Sequence, residues 1–442
     1  MSAPRENPVP TRAGIATRVE ALGYRSLRYV AQDLGPFHVL VGPNAGGKST
    51  FLDVLALLGD IVRVGAQGAI EGEPRLGIPH RAPDGKHLTW LRQGARIELV
   101  VEFSIPADRL SRLRNGGEKA NGERSCRYEV ALDVGAQLQI ASETLWLQPV
   151  RKPQQVQRDL FPSSQPAPDN IVHLARKRMQ AGWRKVLWRG EEPANVTFSS
   201  ETGNWNSPFR IAQDKAALAS LPEDETKFPV ATWFRQALAN GVQRIALSAE
   251  GIRQPCPPSR TRGLLPDGSN LPFVVNLLET QHPDRLRAWV AHVQEALPDL
   301  KTVSTREREE DRHRYLVIGY TNGLEAPSWL VSDGTLRLLA LTLLAYVPEL
   351  TGTYLIEEPE NGIHPRAVET VFQSLSSVYD AQVLLATHSP VVLSMANLDQ
   401  VLCFARASDG ATDVVPGRMH PRLRDWKGDV DLGSLLASGV LS

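Results

Sequence analysis

Residues 37 to 50 read FHVLVGPNAGGKST: five mostly apolar residues, a loop with three glycines, then Lys48, Ser49 and Thr50. The loop fits the pattern GxxxxGK[ST], and what flanks it is as constraining as the loop itself. FHVLV is a short buried strand by composition. FLDVLALLGDIV (51 to 62) spaces Leu52, Leu55, Leu58 and Val62 along one helical face. A strand that enters a helix through such a loop turns its backbone N–H groups and the helix N-terminus toward one point, where an anion is stabilised. The candidate phosphate-binding residues are therefore Gly42, Pro43, Asn44, Ala45, Gly46, Gly47, Lys48, Ser49 and Thr50. Lys48 is expected to reach the terminal phosphates and Ser49 to ligate Mg²⁺.

A site of this kind needs a carboxylate on a neighbouring strand, and TYLIEEPENGIHP (353 to 365) supplies two at the end of an apolar run. Consecutive strand residues point to opposite sides, so Glu357 and Glu358 need not share one task. Glu357 is assigned to the Mg²⁺ shell and Glu358 to polarising an attacking water. QVLLATHSP (382 to 390) is a further apolar strand, ending at His388. Ligands of such sheets bind at the carboxyl edge, which places His388 where it can donate to a terminal phosphate or position the water. Upstream, LVSDGTLRLLALTLLAYV (330 to 347) opens with Ser332, Asp333 and Gly334, and its simplest reading is a helix cap.

The remaining segments give the frame. RIELVVEFSI (96 to 105), CRYEVALDV (126 to 134) and QLQIASETLWL (137 to 147) alternate as antiparallel strands, with the turn-like RNGGEKANGE between the first two. The stretch from 150 to 230 is loop-rich. Within it HLARKRMQAGWRKVLWRG reads as a solvated basic helix with Trp183 and Trp188 partly buried, in preference to a nucleic-acid patch. PDRLRAWVAHVQEAL (283 to 297) is a helix started by Pro283, and STREREEDRHRY (304 to 315) is a charged surface stretch. From 315 to 404 strand and helix alternate, which predicts a parallel sheet. No heptad pattern persists, so long coiled-coil arms are not expected.

Composition excludes several classes. Lys plus Arg and Asp plus Glu both number 49, so the field expected of a nucleic-acid coat is missing and DNA or RNA could be held only by local patches. The N-terminus lacks an apolar signal region and the longest apolar run is too short to span a bilayer, so no membrane segment is expected. Cys126, Cys256 and Cys403 form no disulfide or zinc spacing, and a reducing cytoplasm fits them.

Together GPNAGGKST, SDGTLRLL, LIEEPENGIHP and LLATHSP resemble the RecF-like and OLD-like branch of the ABC ATPases, which is related to the SMC proteins. The resemblance implies an α/β fold: an ABC-type P-loop NTPase head with a mixed or parallel core sheet, an antiparallel β subdomain and an α-helical insertion lobe. It divides the chain into a tail (1 to 14), an N-terminal ATPase lobe (15 to 150), an inserted lobe (151 to 310), a C-terminal ATPase lobe (311 to 405) and a C-terminal tail (406 to 442). It implies ATP and Mg²⁺ as cofactors and hydrolysis to ADP and phosphate, with Glu358, His388 and Lys48 as the catalytic set. Ser332 and Gly334 would be a signature acting on the nucleotide of an opposite subunit, and Asn361 to His364 a loop joining the two sites. The implied assembly is an ATP-sandwich homodimer or a higher oligomer. The glutamine of the corresponding loop in the family has two candidates, Gln93 and Gln148. Only about 55 residues follow His388, so no TOPRIM nuclease is expected on this chain, and WKGDVDLGSLLASGVLS resembles the tail of stand-alone ATPases paired with a separately encoded TOPRIM-like nuclease. The expected role is in anti-phage defence or DNA repair. A transport ATPase is the competing reading, disfavoured because more than 300 residues separate the loop from the double glutamate. A nucleotide-switched scaffold with little hydrolysis is the third.

Overall fold

The structure, a computed structural model, describes residues 14–115, 123–135, 137–151, 158–173, 182–190, 192, 194–258, 263–423 and 431–437. The N-terminal tail to residue 13, most of the turn expected at RNGGEKANGE, the first half of the basic segment and parts of the C-terminal tail lie outside the described residues. The chain begins with β1 (Ala16–Tyr24), β2 (Leu27–Asp33), β3 (Phe37–Val41), α1 (Lys48–Glu71), β4 (Arg96–Ser104) and α2 (Ala107–Asn115). It continues with β5 (Glu123–Val134), β6 (Leu138–Pro149), β7 (Arg184–Arg189), β8 (Asn195–Ser199), β9 (Asn206–Arg210) and α3 (Pro229–Ala239). Then come β10 (Val242–Ile245), α4 (Ala249–Arg253), α5 (Leu271–Gln281), α6 (Pro283–Ala296), β11 (Leu300–Glu307), β12 (Arg314–Tyr320) and β13 (Glu325–Pro327). The last third holds α7 (Asp333–Leu343), β14 (Thr353–Glu357), α8 (Pro365–Ser376), β15 (Gln382–Ala386), α9 (Pro390–Met395), β16 (Val401–Arg406), β17 (Thr412–Pro416) and α10 (Leu432–Ala437).

These elements form two compact units. The first comprises Met1–Pro36, Asn44–Val242 and Phe404–Val415. Its frame is an eight-stranded sheet in the order β2-β1-β4-β5-β6-β7-β8-β9. The pairings are antiparallel, with Val19 opposite Val101 and Leu99 opposite Val130. The apolar face of β4 and β5 packs with α3: Phe103 and Tyr128 both meet Phe234 edge-on, at 5.3 and 5.7 Å between ring centroids. Helix α1 departs from the one-face expectation. Phe51, Val54, Leu57 and Ile61 are buried as fully as Leu52, Leu55, Leu58 and Val62, so the helix is enclosed nearly all round. Gly59 permits part of this, because a Cβ there would lie 2.6 Å from the Leu238 carbonyl oxygen of α3.

Two local readings are corrected in this unit. The connection between β4 and β5 contains α2, whose Leu110 and Leu113 sit three apart on ADRLSRLRN, the spacing of one helical face. The described end of the basic segment is strand β7 rather than helix. RKVLWR buries Val186, Leu187 and Arg189, and Leu187 pairs with Leu145 of β6, so tertiary pairing overrides a charge-rich local pattern.

The second unit comprises Phe37–Pro43, Gln243–Cys403 and Pro416–Ser442. Within it strands follow the order β10-β14-β15-β3-β16. The central pairings are parallel, Leu355 with Leu384, Leu385 with Val39, and Val401 with Val39. β3 and β15 are buried at every residue, as expected of parallel strands covered on both faces. α6 forms as expected, with Trp289 buried and its indole N–H donating to Thr342 Oγ1 at 2.9 Å. The predicted alternation of strand and helix holds only from Thr353 onward. β12 and β13 join β11 in a three-stranded antiparallel sheet, because Asn322 and Gly323, the latter at φ 88°, form a hairpin turn. Among the described residues, no helix is long and apolar enough to cross a membrane.

Candidate nucleotide site

In the second unit, three parallel strands end side by side. Ala386 at the end of β15 lies opposite Glu357 of β14 and opposite Leu40 of β3. Backbone bonds carry the pairing one step past the strands: Glu358 N–H donates to Ala386 O at 2.7 Å, and Thr387 N–H to Leu40 O at 3.1 Å. One sheet edge therefore presents Gly42 and Pro43, Thr387 and His388, and Glu357 and Glu358 on neighbouring strands. This is the carboxyl edge, where ligands of open α/β sheets bind.

The unit boundary falls inside the glycine loop, after Pro43, and the loop continues in the first unit. Pro43, Asn44 and Ala45 are exposed, Gly46, Gly47 and Lys48 are buried, Ser49 is exposed and Thr50 half-buried. Ala45 at φ 59° and Gly47 at φ 103° bring the chain round to the first turn of α1, where Gly47 is the N-cap residue. Gly47 is required twice over. Its φ suits glycine, and a Cβ would stand 2.7 Å from Thr412 Cγ2 and 2.9 Å from Thr412 Cβ.

The two glutamates have different surroundings. Glu357 pairs with the guanidinium of Arg244 on β10, the strand beside β14. Glu358 accepts from the Asn361 side-chain amide, and its Oε1 is 3.9 Å from His388 Nε2. His388 is half-buried, and its backbone N–H donates to Glu360 Oε1 at 3.3 Å. Glu360 also accepts from the Thr387 hydroxyl, while its other carboxylate oxygen is buried without a hydrogen-bond partner. Arg244 belongs to no local motif and is 113 residues from Glu357, so only the fold brings it to the site. Glu360 does carry a local signal, since it lies three residues after Glu357 in the same motif.

Ser332 is the N-cap of α7, its hydroxyl accepting from Thr335 N–H at 3.3 Å. Gly334 lies against the 361 to 364 loop of the same chain: a Cβ would sit 2.6 Å from Gly362 O. Arg337 adds a second tie, donating to Asn361 O at 3.3 Å. Of the two candidate glutamines, Gln93 is exposed, whereas Gln148 is 1% exposed on β6 with its carbonyl oxygen unpartnered.

A family described as "AAA domain, putative AbiEii toxin, Type IV TA system" matches residues 37–109 and 187–394, well over half of the chain. The chain belongs to this AAA domain family. Its matched residues include the loop from Gly42 to Thr50, Arg244, Ser332, the double glutamate and His388. Among solved structures, this AAA domain protein is similar to an SMC head bound to the C-winged helix domain of ScpA, at 13% identity and a TM-score of 0.51 over 91% of this chain and 97% of that one. It is also similar to the SMC head domain from Thermotoga maritima, at 10% identity and a TM-score of 0.40 over 91% and 98% of the two chains. No curated protein matches it. The fold of the AAA domain protein is that of an α/β P-loop ATPase head.

Proposed function

We propose that this protein binds and hydrolyses ATP as an ABC-type ATPase whose sites are completed by a second copy. The observation that carries the reading is the single sheet edge on which the phosphate loop departs, the double glutamate ends and His388 follows. The residues of that edge divide the work. The loop's N–H groups and Lys48 hold the phosphates, Glu358 orients and polarises a water, and His388, 3.9 Å from Glu358, holds the far side of that water or the terminal phosphate. Ser49 and Glu357 are hard oxygen donors of the type Mg²⁺ takes together with nucleotide phosphates, and they would hold it. Bound there, the ion would neutralise charge on the phosphoryl oxygens.

Ser332, exposed at the start of α7, is the group that would meet the partner copy's nucleotide. The dimer would thus form around ATP and open on hydrolysis. The toxin–antitoxin wording of the family description supports a place in bacterial defence. There the ATPase cycle would license a separately encoded TOPRIM-like nuclease or report on bound DNA or RNA. The test is Glu358→Gln, measured for phosphate release and for mass in solution with Mg²⁺ and ATP. Slow turnover with ATP-dependent accumulation of a dimer is expected. Wild-type turnover would place the general base elsewhere, and a monomer at saturating ATP would remove the dimer from the reading.

A further inference from the structure

Thr412 and Asp413 are neighbours on β17, both 3% exposed, and as consecutive strand residues they face opposite sides. Thr412 faces the phosphate loop, filling the space where Gly47 has no side chain. It is itself pinned: its N–H donates to Ser26 O at 2.9 Å, and its hydroxyl lies 2.9 Å from Ser26 Oγ. Asp413 faces a different segment. Its carboxylate takes the Arg158 guanidinium and accepts from Ser163 N–H at 2.9 Å.

The segment that begins at Arg158 is fastened again at its far end. Glu98 accepts from Ile171 N–H at 2.6 Å and Val172 N–H at 3.1 Å, and Glu129 accepts from His173 N–H at 2.9 Å. Glu98 and Glu129 are each 1% exposed, and Arg127, 3% exposed, donates to Ile171 O at 3.1 Å. Residues 158 to 173 are thus a strap fixed to the eight-stranded sheet at one end and to β17 at the other. Burying these carboxylates is tolerable because each is hydrogen-bonded, and losing an anchor would leave an unpaired polar group.

We propose that this strap is a positioning element for the phosphate loop. Anchored on Asp413, it fixes β17; β17 places Thr412; and Thr412 holds Gly47 in the left-handed conformation that starts α1. Neither Asp413 nor Arg158 touches the nucleotide on this account. The inference rests on the reading of Gly42 to Thr50 as the ATP site. It also has a reciprocal consequence: if strap anchorage favours nucleotide binding, nucleotide binding must strengthen strap anchorage by the same factor.

The experiment compares wild type, Asp413→Asn, Arg158→Ala and Lys48→Ala. It measures affinity for a slowly hydrolysed ATP analogue with Mg²⁺, and amide hydrogen exchange with and without it. Lys48→Ala should lose binding. Asp413→Asn and Arg158→Ala should each weaken it by about fivefold or more, the lower end of usual coupling between sites. Both should speed exchange at residues 44 to 50 in the absence of nucleotide, and the analogue should slow exchange at residues 158 to 165 in wild type. Arg158→Ala acts from the half-buried side of the pair, so it separates loss of the anchor from damage to β17. Affinities within twofold of wild type in both variants, or exchange at 158 to 165 indifferent to the analogue, would overturn the proposal. If wild type fails to bind the analogue, the ATP reading falls instead, and exchange at 44 to 50 in the nucleotide-free variants still decides whether strap and loop are coupled.

Discussion

Gly334→Ala pits two effects of known size against each other. Gly334 is the second residue of α7, and replacing glycine by alanine within a helix stabilises it by up to about 1 kcal/mol. The new Cβ, however, would sit 2.6 Å from the Gly362 carbonyl oxygen, and the obstacle is backbone rather than a flexible side chain. Gly362 cannot retreat freely: it holds φ 75°, and the preceding carbonyl, that of Asn361, accepts from Arg337 at 3.3 Å. Overpacking of this kind costs about 1 to 3 kcal/mol. The balance is a loss of about 1 kcal/mol, or about one degree in melting temperature for a chain this size. Because the displaced backbone lies in the loop after the double glutamate, turnover should fall together with stability. Thermal melting and steady-state phosphate release, measured on the same preparations, check both. A Gly334→Ala protein that melts above wild type and hydrolyses ATP normally would show that α7 and the 361 to 364 loop are not held in contact, and the reasoning would fail.

Other expectations are simpler. Ser332→Arg should leave nucleotide binding by the monomer intact while blocking association, so retained hydrolysis and a retained ATP-dependent dimer would refute the trans role. Arg244→Ala removes a half-exposed ion pair, with side chains 41% and 26% exposed, and should cost at most about 1 kcal/mol in stability. If Glu357 holds Mg²⁺ as proposed, the guanidinium and the ion would compete for its carboxylate, so the variant should also lower the Mg²⁺ concentration needed for ATP binding; a raised requirement would mean that Arg244 positions the carboxylate instead. His38 on β3 is buried, and burial pushes its imidazole down to about 4 although a hydrogen bond to Gln400 O opposes the shift. Its unfolded value of 6.5 lies higher, so the unfolded chain binds the proton first on acidification. Stability is therefore full above pH 6.5 and lost by up to about 3 kcal/mol toward pH 4, which urea melts across that range should register and His38→Gln should flatten.

What was legible in the sequence was whatever local chemistry fixes. GPNAGGKST dictates its flanking strand and helix because the loop is useless without them, and the continuous apolar runs of β14 and β15 can scarcely be anything but covered parallel strands. Segments whose conformation depends on distant partners were read poorly. β7 mixes Arg, Lys, Trp and Leu without a clean period, and only its pairing with β6 makes it a strand. The enclosure of α1 required knowing that a sheet and α3 both pack on it. The anchor of the strap was invisible for the same reason, since Ser163 and Asp413 are 250 residues apart and neither belongs to a recognisable motif. Arg244 escaped likewise.

The double glutamate shows how a local rule can reach a useful answer for the wrong reason. Alternation along a strand would send Glu357 and Glu358 to opposite faces, but β14 ends at Glu357 and the alternation ends with it. Glu358 instead occupies the left-handed region at φ 48°, which is costly for a residue with a side chain and more so before a proline. The strain is held in place on both sides. Glu358 N–H remains bonded to Ala386 O at 2.7 Å, its carbonyl accepts from Asn361 N–H at 3.0 Å, and its carboxylate takes the Asn361 amide. The chain thus turns at this residue, and two adjacent negative charges part: Glu357 toward Arg244, Glu358 toward His388. Each carboxylate acquires its own neighbour and keeps part of its exposure, 26% for Glu357 and 45% for Glu358, which is how a buried strand can end in two carboxylates without the full desolvation cost of either. Asn361 then matters as much as the glutamates, because it holds the turn that separates them. Asn361→Ala should let Glu358 relax toward the strand conformation, and phosphate release should fall with little change in nucleotide affinity. An equal loss of both would show instead that the turn serves the fold of the loop rather than the placement of Glu358.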